Sequence, residues 1–478
     1  MSGRGLPASP SARAGAGPRT GPVACRSDRA PGDLYRGPHG NSFTSTRTSQ
    51  RYRAHDRGRR PGAARRATGR RPATGRVPRV RHPRGRTAVR APAGHRGPDR
   101  RGRGARRRAR RRAWLCALVR HGRRGRPAHR PPCLTDRMVS FSAGLARRCR
   151  THAGDLVPYA STCNSARDMD VIRAALGERR ISYLGYSYGS YLGEVYTTMF
   201  PGRTDRVVLD GVIDPARYGP RLLRGTEAAG KHALRGWADW TAAHDEDYGL
   251  GRTGDAVLAT VEEIQSAAER APLRVGAYRV DDQVLPALVL NGLSQDNPSA
   301  YGDFAQGVRE LRRAAGGDPV SPSPWLAELL QFLLTGHDSA YGSAQTAILC
   351  GDGTAPRDPE TYWRDLRRAD PRDRFFAPVT NDINACAFWG PPRERPTTLR
   401  ADLPALLVNA TGDPRTLYSG AETVHRGWPS SRLITLHDAD QHVVFGVFGS
   451  ACVDDAVNAY LASGRLPATD VSCPRTRS

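Results

Sequence analysis

Regular patterning of apolar and polar positions begins well inside the chain. Asp168, Val171, Ile172, Ala175 and Leu176 mix polar and apolar side chains at helical spacing, and Gly177 closes the segment, which predicts a helix. Ile181-Ser182-Tyr183-Leu184-Gly185 follows, short and rich in β-formers, and Ser190 to Tyr196 returns to helical spacing. The order is strand, turn, helix. Arg206-Val207-Val208-Leu209-Asp210 is a continuous apolar run that stops at Asp210-Gly211, as expected of a strand covered on both faces. Alternating strand and helix predict a parallel sheet.

Between residues 215 and 395 the alternation is lost. Segments near 222–243, 254–270, 302–315 and 323–335 predict amphipathic helices separated by Gly, Pro and Asp clusters. The α/β rhythm resumes with a strand at Ala405-Leu406-Leu407-Val408-Asn409, a helix near 419–426, a strand at 432–436 and a last helix near 450–463. The chain therefore divides into a leader (1–140), the first part of an α/β core (141–214), a helical lid insertion (215–395) and the end of the core (396–478).

Charge separates the leader from the rest. Of the 74 basic residues, 38 are Arg within residues 1–140, where there are 5 Asp and no Glu; residues 141–478 hold 36 bases and 41 acids. The leader is +33 and the remainder −5, so the overall +28 says nothing about the patterned part. Arg, Pro, Gly and Ala dominate the leader, and such a segment cannot bury enough apolar surface to offset chain entropy. It reads as disordered. Runs such as 106–112 could hold phosphates by charge alone, but a nucleic-acid arm commonly carries Lys as well, and the only Lys in the chain is Lys231. Residues encoded by GC-rich codons also suit out-of-frame translation of GC-rich DNA, and nucleic acid is disfavoured as a partner. No stretch reaches the ~18–20 consecutive apolar residues of a membrane span, and no signal peptide is visible.

Six of the nine Cys lie in the patterned part, at 149, 163, 350, 386, 452 and 473. None has the close two-by-two spacing of a zinc site. An even set suggests disulfides and an oxidising compartment; the most local of the possible pairings joins Cys149 with Cys163, Cys350 with Cys386 and Cys452 with Cys473. Buried free thiols are the alternative.

The candidate chemistry centres on Gly185-Tyr186-Ser187-Tyr188-Gly189, a G-x-S-x-G pattern between a predicted strand and a predicted helix. The two Gly allow a turn too sharp for larger side chains. That turn exposes the Ser187 hydroxyl, while the N–H of Tyr188 at the helix start can face a developing oxyanion. A Ser nucleophile needs a His base, and the His needs an acid to hold its tautomer. Asp413 follows the strand at 405–409 and His442 follows the strand at 432–436, giving the order Ser, Asp, His at the C-terminal ends of strands. Competitors are His437, Asp438 and Asp440; Asp210 reads as a structural or supporting residue, and His425 as a solvated helical one. Neither a three-ligand metal cluster nor a Gly-rich phosphate loop with Lys is present.

Ile181 to Gly193, continuing through Phe200-Pro201-Gly202-Arg203 to Arg206-Val207-Val208-Leu209-Asp210-Gly211-Val212-Ile213-Asp214-Pro215, resembles the secreted tripeptidyl aminopeptidases of actinomycetes, which are α/β-hydrolase serine exopeptidases. So does the end of the chain, with Cys452, Tyr460-Leu461-Ala462-Ser463-Gly464-Arg465-Leu466-Pro467 and Cys473. The resemblance covers roughly residues 145–478, in pieces. It implies an α/β-hydrolase fold with a mostly parallel sheet and a helical lid, Ser187 as nucleophile, Asp413 as acid and His442 as base. It further implies an extracellular enzyme that removes tripeptides or shorter pieces from free peptide N-termini without a cofactor, a metal or a membrane. Lid carboxylates that could pair with the substrate ammonium are Glu227, Asp239, Asp245 and Glu246. The chain departs from the family at Gln441, where the family has Gly, and at Leu417, where it has Pro. The resemblance also implies a His-Gly-Gly or Gly-Gly-Pro-Gly loop for the second oxyanion donor, which residues 1–140 do not contain. An esterase with the same triad is one alternative, and a catalytically silent chain with a nucleic-acid-binding Arg-rich arm is another.

Overall fold

A computed structural model of the protein describes residues 132–334 and 339–476, together with Val23–Ala24, a two-residue strand parallel to Glu394–Arg395. The disorder expected of the leader therefore falls almost entirely on residues outside those described. Within them, helix α1 (Pro132–Ala153) runs across residue 140 and buries Ala146 beside Cys350 and Cys386.

Helix α2 (Thr162–Ala175) starts where the Ser161 side chain accepts the Asn164 N–H, satisfying one of the first-turn donors that a helix leaves open. It leads into strand β1 (Ile181–Tyr186), helix α3 (Tyr188–Met199) and strand β2 (Thr204–Asp210). After a long insertion come strand β3 (Leu406–Ala410), a helix at Tyr418–Gly427, strand β4 (Arg432–Leu436), a helix at Ala451–Ser463 and strand β5 (Val471–Cys473). The five strands form one parallel sheet in the order β1-β2-β3-β4-β5. The fold is the α/β-hydrolase type expected.

Alternation along the strands assigns the two faces. Val208, Leu406, Val408, Ile434 and Leu436 pack with Val453, Val457 and Tyr460 of the last helix. Val207, Leu209, Leu407 and Leu433 point the other way, onto Ala421, Val424 and Trp428. Because both faces are covered, β2 and β3 carry continuous apolar runs. In register, Tyr186 pairs with Asp210, Asp210 with Val408, and Ala410 with Leu436. The loops after β1, β2, β3 and β4 therefore all leave from one edge of the sheet.

The insertion has its own core, built on Trp237, Val257, Ile264, Leu288, Phe304 and Leu311. Helices occur at Glu227–Ala242, Gly254–Arg270, Pro298–Ala315 and Pro324–Leu334, where helical spacing predicted them. Beyond the expectation are a short hairpin of Leu273–Val275 with Tyr278–Val280 and helices at Val284–Gly292, Ser339–Asp352 and Pro359–Arg368. Cys350 is bonded to Cys386, and Cys452 to Cys473. The third expected pair does not form: Cys149 is a free thiol, whereas Cys163 is disulfide-bonded. Nearness in sequence misled there, because Cys149 sits on α1 against the Cys350–Cys386 cluster while Cys163 packs under α3. Among the described residues no helix is long and apolar enough to cross a membrane.

Candidate active site

Ser187 stands between β1 and α3 with φ 52° and ψ −115°, a sparsely populated positive-φ conformation that costs a non-glycine residue on the order of 1–3 kcal/mol. Three hydrogen bonds hold it there. Its N–H donates to the Asp210 carbonyl at 2.8 Å, and its own carbonyl accepts the Ser190 N–H at 2.8 Å and the Ser190 hydroxyl at 2.7 Å. Gly185 is required two residues earlier, since a Cβ there would collide with the Gly189 carbonyl and the Tyr183 ring. Tyr188 is the first residue of α3, so its N–H has no acceptor within the helix.

Asp413 follows β3 and is 1 % exposed. Its Oδ1 accepts the N–H groups of Arg415 and Thr416, each at 2.8 Å, and its Oδ2 accepts the Thr416 hydroxyl at 2.7 Å. His442 presents Nδ1 to the same carboxylate, 3.0 Å from Oδ2, and lies 3.3 Å from the Thr416 hydroxyl. Thr416 thus touches both partners, a role the sequence signalled only through its place in Asp413-Pro414-Arg415-Thr416. Burial pulls the Arg415 guanidinium down, the Asp413 charge opposes that, and its Nη2 donates to the Leu290 carbonyl and Asn291 Oδ1 of the insertion.

Gly211 is the joint between the Ser187 turn and the His442 loop. It follows Asp210, has φ 64°, and a Cβ on it would lie 3.4 Å from His442 Cε1 and 3.2 Å from the Thr416 hydroxyl. The Asp210 side chain is fully buried and accepts the N–H groups of Val444 at 3.0 Å and Phe445 at 2.7 Å. Burial pushes this carboxyl up to about 7, against the lowering effect of those N–H groups.

The competitors sit in other environments. His437 bonds the Ser472 hydroxyl at 2.8 Å, on β5. Asp438 is exposed and donates its N–H to Thr411. Asp440 faces His232 at 3.6 Å, and burial pushes its carboxyl up to about 6. His425 is not the solvated helical residue expected, since it bridges Ser431 at 2.7 Å and Asp470 at 3.1 Å. Of the lid carboxylates, Asp239 pairs with Arg235 and Asp245 with Arg252, while Glu227 accepts from Thr380 at 2.6 Å and Asn381 at 3.0 Å. Among the described residues no three His, Cys, Asp or Glu side chains cluster as a metal site.

Comparison with known proteins points to one family. A family described as TAP-like protein matches residues 373–473, which hold Asp413 and His442. The tripeptidyl aminopeptidase of Streptomyces lividans is 34% identical over 338 residues, covering 69% of this chain and 61% of that protein. Serine protease Hip1 of Mycobacterium tuberculosis is 30% identical over 347 residues, covering 68% of this chain and 64% of that protein. Carboxylesterase B of the same species is 33% identical over 153 residues, 29% of this chain and 27% of that protein. The chain thus spans somewhat over three fifths of the first two relatives. With its parallel sheet, its Ser187 turn and these relatives, the chain belongs to the tripeptidyl aminopeptidase family of α/β-hydrolases.

Proposed function

We propose that the chain is a serine peptidase that releases tripeptides or shorter pieces from free peptide N-termini through an acyl-enzyme on Ser187. The observation that carries the reading is the His442–Asp413 contact at the sheet edge where the strained Ser187 turn also stands. In this mechanism Asp413 holds the His442 Nδ1–H, leaving Nε2 to take the Ser187 proton as Oγ attacks the peptide carbonyl. The Tyr188 N–H and the start of α3 stabilise the oxyanion. The tetrahedral adduct collapses, His442 returns its proton to the departing amine, and water then attacks the ester by the same route.

The names of the relatives supply the substrate class, and the disulfides fit an extracellular protein. The test is labelling of the full chain with a fluorophosphonate beside Ser187→Ala, followed by nitroaniline release from a tripeptidyl substrate. Labelling lost in the variant, with nitroaniline released, supports the reading; a folded chain that does not label overturns it. Similarity to carboxylesterase B over part of the chain favours an esterase as the second reading, and preference for short-chain esters over the tripeptidyl substrate would select it.

A further inference from the structure

Gln441 precedes His442 in a loop, where a polar side chain ordinarily faces water, yet it is 0% exposed. A buried amide has to find hydrogen-bond partners within the protein, and this one finds them in two separate segments. Its Nε2 donates to the His442 carbonyl at 2.9 Å and to the Val443 carbonyl at 2.7 Å. Its Oε1 accepts the Asp296 N–H at 2.9 Å, from the insertion just beyond the helix at Val284–Gly292. Two further bonds join the same segments. His442 donates its N–H to the Ser294 carbonyl at 3.1 Å, and Asp440 donates its N–H to Asp296 Oδ2 at 3.0 Å.

What this amide grips is strained. Val443 has φ 66°, a conformation that a β-branched residue adopts only when its surroundings impose it. Gln441 holds the carbonyls on the near side of that bend, and the Asp210 carboxylate holds the Val444 and Phe445 N–H groups on the far side. Removing the near grip lets Val443 relax toward ordinary backbone, and His442 is its immediate neighbour.

We propose that Gln441 is a positioning residue that holds the His442–Val443 bend in shape and locks it to the Ser294–Asp296 segment, so that the imidazole is aimed only while the insertion is seated. This rests on the reading of His442 as the base. It makes the insertion part of the catalytic geometry.

The test compares the full chain with Gln441→Met, which keeps the length and loses every bond, and Gln441→Glu, which keeps an acceptor for Asp296 and loses the donors. Amide hydrogen exchange is followed at 294–297 and 441–446, and fluorophosphonate labelling of Ser187 is followed in rate and endpoint. In Gln441→Met, exchange should rise at least ~10-fold in both segments while β2 and β3 stay protected, and labelling should slow about 10- to 100-fold yet reach the same endpoint. A smaller folded fraction would instead lower the endpoint. Gln441→Glu should keep protection at 294–297 and lose it at 441–446, which keeps the proposal testable if the Met variant does not fold. Exchange unchanged in both segments overturns the proposal. If the parent chain does not label, the hydrolase reading fails, and the exchange comparison still decides the role of Gln441.

Discussion

Asp210 accepts the Phe445 N–H on its side chain at 2.7 Å while its carbonyl accepts the Ser187 N–H at 2.8 Å. One residue at the end of β2 therefore anchors the candidate nucleophile through its backbone and the loop after the candidate base through its carboxyl. The arrangement explains why an ionisable group stands where a strand of continuous apolar residues ends.

Burial raises the Asp210 carboxyl from 3.8 to about 7, so the fold favours its protonated form. The resulting stabilisation is complete below pH ~4 and is lost as pH rises through about 7. Asp210→Asn carries no such proton. Measured by urea unfolding from pH 4 to 8, the stability of the parent relative to Asp210→Asn should fall by on the order of a few kcal/mol. A difference that stays constant across that range would show that this carboxyl holds no proton.

Asp413→Asn should cost about 10,000-fold in kcat, through the tautomer of His442. Because the Arg415 and Thr416 N–H groups occupy Oδ1, an Asn would place its carbonyl there and turn its amide donors toward His442 Nδ1. The imidazole would then carry its proton on Nε2, where it cannot accept one from Ser187. Steady-state kinetics on a tripeptidyl nitroanilide, with Ser187 labelling alongside, checks this.

Thr416→Val removes one hydroxyl and little volume. A hydrogen bond to a charged group contributes about 1.5–3 kcal/mol to stability, so unfolding should register a loss of that order, and kcat/KM should fall further than the folded fraction explains. A loss of kcat/KM that only tracks the folded fraction would assign Thr416 to the fold alone.

Gly211→Ala should cost about 1–2 kcal/mol for its positive φ, and the added methyl must also shift Thr416, His442 or Val443. Activity should therefore drop further than the fraction of unfolded protein explains. Thermal melts paired with active-site titration separate the two effects.

Strands β2 and β3 were legible because burial on both faces writes uninterrupted apolar runs, as at Val207-Val208-Leu209 and Leu406-Leu407-Val408. Ser187 stood out through its Gly-x-Ser-x-Gly pattern between a strand and a helix, although only Gly185 is sterically required there. Asp413 and His442 followed from strand order and from the family resemblance. Strand β5, at three residues, is too short for periodicity to register, and the hairpin around Gly276 interrupts a helical region with only a few alternating positions. Gln441 and Thr416 could not be found by residue type, since an amide or hydroxyl acquires its role only from the segment that folds against it. The same holds for Cys149 and Cys163, whose separation along the chain carries no information about which helix each one lies beneath.

The register that pairs Asp210 with Val408 also sets an order of events during synthesis. β2 leaves the ribosome long before β3, and between them comes the entire insertion, so the partner edge of β2 stays open until a distant segment arrives. Pairings of such high sequence separation form late and slowly. If the insertion, whose own core includes Trp237 and Phe304, collapses first, it shortens the search by bringing the end of β2 and the start of β3 together.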